Sequence, residues 1–338
     1  MLYHDSYDET YRLPIGAVKA GEALRLRMRS SEGDVVLRTW SGAESRVPMQ
    51  KIGDDLYEAT VAAPQAPMLF WYDFIIAGAN GEIRYGTSYD QLGGEGARYD
   101  GQPQSYQVTV YDPDYQTPEY LREGVIYQIF PDRFFRDESG FAGREEQIAA
   151  AHPEATFHAD WHEAPTLDPD PQNGDNRALD FFGGTLRGVA QKLDDLKRLG
   201  VSVLYLNPIF RARTNHRYDT GSYEEIDPIL GDDAAFDELI AEAGKRGMRV
   251  MLDGVFSHTG ADSLYFNRYG RYATVGAYQS EASPYAEWYH FDEFPDRYRT
   301  WWGFYTLPAV EKGCESYRRY LLSPRTGVLP RWVVRGAP

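Results

Sequence analysis

The sequence predicts two parts of different class: an all-β sandwich over residues 1–115, then an α/β part with parallel strands over residues 116–338. Three observations carry this. Short strands with period-two alternation and frequent turn signals fill residues 10 to 112. Near Gly124 the pattern changes to buried apolar runs and helical spacing. The order that results, βαβαβ, calls for parallel strands.

In the first part, Ala23 to Met28 alternates cleanly and Val35 to Trp40 less so. Leu69 to Ile76 is a longer strand. Ala79 to Glu82 is a hairpin-type turn leading into Ile83 to Tyr85, and Tyr106 to Tyr111 closes the set. Asp112 to Pro118 is the linker. In the second part, Val125 to Phe130 is the first buried strand, followed by a polar loop from about Arg136 to Arg177. Leu186, Val189, Leu193 and Leu196 share one helix face, with Gly200 at a C-cap position. Val201 to Leu206 is the second strand. Ala234 to Arg246 is a second amphipathic helix, and Met248 to Leu252 leads into the third strand, which starts near Arg249. Residues 260 to about 306 read as an irregular, Tyr-rich insert. Tyr317 to Leu322 and Val328 to Val334 are helical, with Pro330 confined to a first turn or a kink.

Composition narrows the function. The chain has 35 basic and 51 acidic residues, a net charge of −16, and no basic stripe, which argues against a nucleic-acid partner. Neither a signal peptide nor a membrane-length apolar run is visible, so a cytoplasmic protein without a membrane partner is expected. The single Cys314 excludes an internal disulfide framework. The 26 Tyr, 16 Phe and 7 Trp suit a saccharide, whose rings lie against aromatic faces, although aromatics also fill cores.

Chemistry is expected where the third strand ends, at Asp253-Gly254-Val255-Phe256-Ser257-His258. Taken alone, this is equally a hydrogen-bonded Asp and a surface His. Two further segments decide: Tyr127 to Phe134, "YQIFPDRF", and Leu204 to Phe210 with Asn215 to Thr220, "LYLNPIF…NHRYDT". Together with "DGVFSHTG" and "WWGFYTLPAV", Trp301 to Val310, they form an ordered series. Over roughly residues 120 to 330 the chain resembles the α-amylase superfamily of glycoside hydrolases, in its cyclomaltodextrinase, neopullulanase and maltogenic amylase branch.

The resemblance implies a (β/α)8 TIM barrel with a small domain inserted after strand three, here about residues 260–312. A complete barrel takes about 250 residues. Only about three strands have appeared when the sequence ends, so an incomplete barrel and an N-terminal portion of such an enzyme are expected. The N-terminal domain resembles a starch-binding module, which in the family often mediates homodimers. Retaining glycosidases need a carboxylate nucleophile and a carboxylic general acid about 5 Å apart. In the family these follow strands four and five, so neither is assigned here. Gly96-Ala97-Arg98-Tyr99-Asp100 copies the nucleophile's Gly-x-Arg-x-Asp spacing, but lies in the sandwich.

What remains is one side of a sugar site. Tyr218 matches a tyrosine that stacks on the sugar at the cleavage point. His258 matches a histidine that hydrogen-bonds its primary hydroxyl. Asp253 matches an aspartate that orients an active-site arginine. His216 and Asp219 flank Tyr218. For His216, Asp219 and Asp253 a purely structural role stands beside the sugar-site reading. Calcium-binding members carry Asn before the third-strand His and Gly-Gly-Asp after Phe-Phe or Phe-Tyr. Here Ser257 and Thr185 stand there, so the usual calcium ligands are substituted and no cofactor is expected, with calcium the alternative. The loop containing His158 and His162, with His152 nearby, imitates a metal cluster but reads as solvated. The activity implied is hydrolysis or transglycosylation of α-1,4/α-1,6-linked glucans, with α-glucan oligosaccharides as partners. The alternative is an inactive α-glucan-binding protein or a decayed, truncated copy.

Overall fold

A computed structural model of the chain describes residues 1–79, 81–171 and 174–337. It divides into two compact units, Met1–Thr117 and Pro118–Pro338.

The first unit holds two sheets with one apolar core between them. Ala23–Ser30 shows why: Leu24, Leu26 and Met28 have no exposed surface, while Arg25, Arg27 and Arg29 point outward. It pairs antiparallel with Leu56–Ala62, and Arg27 meets Glu58 across the pair at 2.7 Å. The facing sheet centres on Met68–Gly78, flanked by Val35–Trp40, Gly81–Gly86 and Tyr106–Tyr111. Leu37, Tyr72, Phe74, Val108 and Val110 supply its half of the core. His4 is fully buried there. Its Nε2 lies 3.0 Å from the Tyr72 hydroxyl and its Nδ1 2.7 Å from the Arg27 carbonyl. Among the described residues no helix falls between 20 and 110. Asn80, in the expected hairpin turn, lies outside the described residues. The strands Glu44–Pro48 and Leu56–Ala62 were not expected. The first is exposed except at Val47 and held by backbone pairing; the second buries Tyr57 and Ala59 in the core and rests Val61 against it.

The second unit is built on a parallel sheet of three strands in chain order: Val125–Ile129, Val201–Leu206 and Arg249–Leu252. The first ends one residue early. Pro131 lacks an N–H, and Pro131–Arg133 forms a 3-10 turn. The central strand is buried along most of its length, whereas Val125 and Ile126 on the edge are about half exposed. The ladder continues past the C-terminal ends: Asn207 N–H donates to Ile129 O at 2.9 Å, and Asp253 N–H to Leu206 O at 3.1 Å. Asn207 and Asp253 therefore stand on the sheet's upper rim.

The helix expected from 185 to 196 is two, Leu186–Gln191 and Leu193–Arg198, broken at Lys192 (φ −98°, ψ 3°). Its four apolar residues still face the core. Thr185 caps the first, accepting from Gly188 N–H at 2.9 Å. Asp233–Lys245 buries Ala235, Phe236, Leu239 and Ala243, and is capped by Asp232. Pro330 sits in the first turn of Val328–Val334.

The expected polar loop contains a helix, Glu145–Ala151, anchored by buried Ile148. Nor is it simply solvated. His152 is buried against Asp227 at 3.1 Å. His158 is buried between Glu163 at 2.7 Å and Asp180 at 3.3 Å, stacked on Phe182. His162 is exposed. Among the described residues no group of three or more His, Cys, Asp or Glu could hold a metal ion, and no helix is long and apolar enough to cross a membrane.

Candidate functional site

Above the rim of the parallel sheet, Phe210–Ala212 and Thr220–Ile226 pair as an antiparallel ribbon, and residues 213–219 form its tip. This places Tyr218 beside the end of the third strand. Its hydroxyl donates to Asp253 Oδ2 at 2.9 Å. Burial and that carboxylate both push the phenol well up, so it stays a donor. Asp253 thus orients the Tyr218 ring within this chain.

The ribbon tip is held from below. Arg217 adopts a left-handed backbone, φ 61°, and its side chain is buried against Asp227, Nε to Oδ2 at 3.2 Å. The residues on either side, His216 and Tyr218, point the other way, with ring centroids 5.8 Å apart. Asp219 is spent locally: it accepts from the backbone N–H of Arg213 and Thr214, both at 3.2 Å, and from the Thr214 hydroxyl. His216 Nδ1 accepts from the Tyr218 N–H at 3.1 Å. Burial lowers its pKa, and Asp219 opposes this.

His258 is buried, with Nε2 3.1 Å from the Tyr218 carbonyl and Nδ1 3.0 Å from the Ser257 hydroxyl. Burial lowers its pKa, so it is neutral near pH 7. Nε2–H donates to the carbonyl and Nδ1 accepts from Ser257. Both ring nitrogens are engaged, so a ligand hydroxyl has to share or displace one of these bonds.

Tyr218, His216, Asp219 and His258 line one cavity of about 470 Å³, and Asp253 stands behind Tyr218. Several wall residues were not expected as site residues. Trp301, Phe304 and Tyr269 supply aromatic faces, and Arg177, Arg213 and Asp262 supply charge. Trp301 lies 5.1 Å from His258, centroid to centroid. Asp262 pairs with Arg271 at 3.3 Å, and its Oδ1 is buried without a hydrogen-bond partner. Burial pushes its carboxyl up to about 6 against the pull of Arg271. Its place four residues after His258 was the only sequence signal.

The Gly-x-Arg-x-Asp segment is part of the sandwich. Ala97–Tyr99 pairs with Gly81–Gly86, and Arg98 meets Glu32 at 3.1 Å. A Cβ on Gly96 would lie 2.1 Å from the Tyr106 hydroxyl, so packing accounts for that glycine.

Four aromatic side chains, with donors and carboxylates, around one cavity at strand C-terminal ends suit a polyhydroxylated ring ligand. Comparison with known proteins agrees with this chemistry. A family model described as the alpha amylase catalytic domain matches residues 128–304. The chain is 37% identical to an amylopullulanase of Thermoanaerobacter thermohydrosulfuricus, over 98% of this chain and 24% of that protein. It is 32% identical to a cyclomaltodextrinase of Geobacillus thermopakistaniensis, over 83% of this chain and 44% of that one. The type III pullulan hydrolase of Thermococcus kodakarensis superposes with a TM-score of 0.54 at 25% identity, over 99% of this chain and 55% of that one. The chain thus spans about a quarter of the amylopullulanase and under half of the cyclomaltodextrinase. With its three strand-end motifs inside the matched span, the chain belongs to the α-amylase family of glycoside hydrolases.

Proposed function

We propose that residues 118–338 carry the sugar-gripping side of an α-glucan site. It serves hydrolysis or transglycosylation of α-1,4/α-1,6-linked glucans by a retaining mechanism. The observation that supports this most is the Tyr218 ring, pinned by Asp253 at 2.9 Å on the wall it shares with His258 and Trp301. In this reading Tyr218 stacks on the sugar and His258 hydrogen-bonds it by sharing the proton it gives to the Tyr218 carbonyl. Asp253 positions Tyr218, while His216 and Asp219 shape the ribbon tip. The three parallel strands are the first of a (β/α)8 barrel, and residues 260–312 are its inserted domain. The sandwich is a starch-binding-like module suited to homodimer formation, and the protein is cytoplasmic.

Neither the nucleophile nor the general acid of the family is assigned among these 338 residues, and the two-step mechanism requires both. Calcium does not fit the Thr185 position. Asp137 is already taken up by the hydroxyls of Thr185 and Ser139 and the Ser139 N–H. The test is calorimetric titration with maltooligosaccharides beside a reducing-sugar assay on cyclodextrin, pullulan and starch. Binding without sugar release is expected, and Tyr218→Ala should weaken binding about 2- to 12-fold, the size of one aromatic contact. Sugar release above a buffer blank, or wild-type affinity in a folded Tyr218→Ala, sinks the assignment.

A further inference from the structure

The loop 301–307 presents an unusual surface. Trp302 is 84% exposed, and its backbone is left-handed at φ 51°, followed by Gly303 at φ 87°. A bulky side chain rarely accepts that conformation, and a large apolar ring rarely stands in water. The two costs fall on one residue, which calls for a functional reason.

The loop is nonetheless well fixed. Trp301 N–H donates to Leu307 O at 2.9 Å, Leu307 N–H to Phe304 O at 2.9 Å, and Phe304 N–H to Trp301 O at 3.0 Å. Its base is zipped to the segment around His258: Ala261 N–H donates to Thr306 O at 2.8 Å and Val310 N–H to Ser257 O at 3.0 Å. The rings form a graded row. His258 is 4% exposed, Trp301 37% and Trp302 84%. Trp302 stacks on Trp301 at 5.2 Å and 14°, and Phe304 lies 6.1 Å from Trp301 at 26°. Trp301 and Phe304 line the cavity, so the row leads from its wall into solvent.

We propose that Trp302 is an outer shelf of the α-glucan site, taking a glucose unit of a chain whose neighbouring units fill the cavity behind Trp301. This rests on the α-glucan reading of the cavity and adds to it a preference for long chains. Continuity of the ring row with the cavity identifies the occupant. A pyranose lays its C–H face on an aromatic face, and an α-glucan supplies such faces at every unit.

The test is calorimetric titration of the full chain with maltose, maltotriose and maltoheptaose. The variant is Trp302→Asn, which removes the ring but tolerates the left-handed backbone. The ratio of wild-type to variant affinity should rise with chain length, from near one for maltose to about 3- to 10-fold for maltoheptaose. A ratio independent of length overturns the shelf. If Tyr218→Ala loses affinity while Trp302→Asn matches wild type on maltoheptaose, the cavity reading stands and the shelf falls. If wild type binds no maltooligosaccharide, both fall. If sedimentation shows that Trp302→Asn dissolves a dimer without changing maltoheptaose affinity, the ring serves a second copy and the shelf is overturned.

Discussion

Asp227→Asn should be among the most damaging single substitutions in the second unit. Asp227 has no exposed surface. Its carboxylate faces Arg217 Nε at 3.2 Å and His152 Nε2 at 3.1 Å, and accepts from Ile229 N–H at 3.0 Å. Burial pushes its carboxyl up, but Arg217 and His152 more than reverse this, so the net shift is downward. Asn keeps the volume and the acceptor for Ile229, so the charge is what is lost. Arg217 then stays buried with the Asn215 carbonyl at 2.7 Å, the Phe181 face at 5.8 Å and the Asp132 carboxylate within electrostatic reach but no carboxylate in direct contact. Two unit charges at this separation interact by about 5 kcal/mol at an effective dielectric of about 20. Breaking one side of a buried pair costs about 3–5 kcal/mol, and that is the expected loss. Five of the seven tryptophans lie in the second unit, so urea unfolding followed by tryptophan fluorescence reports on it. Adding Arg217→Met removes the stranded charge and should recover part of the loss. The pair contributes fully above the unfolded carboxylate value, about 4, and fades as pH falls below it. A loss under about 1 kcal/mol, or a double variant no better than the single, would refute the reasoning.

Two further outcomes follow from buried titrating groups. Burial drives His4 down to about 3, so below its ordinary value of 6.5 the unfolded chain takes up a proton that the folded sandwich refuses. Sandwich stability should fall by about 1.4 kcal/mol per pH unit, or about 2 kcal/mol by pH 5, and His4→Gln should flatten that slope in urea titrations. Asp262 behaves oppositely: with its carboxyl raised to about 6, its stability contribution is lost as pH rises through that value. Asp262→Asn should therefore raise the second unit's stability by about 1–3 kcal/mol at pH 8 and leave it unchanged at pH 4, measured by the same unfolding assay. Equal effects at both pH values would count against a buried, uncompensated carboxylate.

The parallel strands were the most legible part of the sequence. Val201–Leu206 is apolar at most positions, because helices and neighbouring strands cover all of it but parts of Ser202 and Tyr205. Elements held by backbone pairing left little trace. Glu44–Pro48 offers the core a single apolar residue, Val47, and the ribbon of Phe210–Ala212 with Thr220–Ile226 carried no strand alternation. The helix break at Lys192 was invisible because the apolar spacing runs through it. In the site, the resemblance to known motifs singled out Tyr218, His258, His216 and Asp219, and these do gather on one cavity. Trp301, Phe304 and Asp262 were missed because the zip of 257–261 to 306–310 brings them there from an irregular insert. Arg217 was missed as an anchor because its residue type suggests a surface, whereas here it is buried against Asp227, the carboxylate it shares with His152.

The Tyr218–Asp253 hydrogen bond joins the loop after the second strand to the tip of the third, 35 residues along the chain. Ring position and strand pairing are therefore thermodynamically linked. A ligand that needs the ring upright favours the paired sheet by RT ln(1 + [L]/Kd), with no contact to either strand. By the same linkage, a substitution that loosens the third strand weakens ligand binding even though it lies beneath the cavity. Any ligand that binds against this ring would, when added during refolding, favour the paired strands, and its apparent Kd would rise as the paired fraction falls.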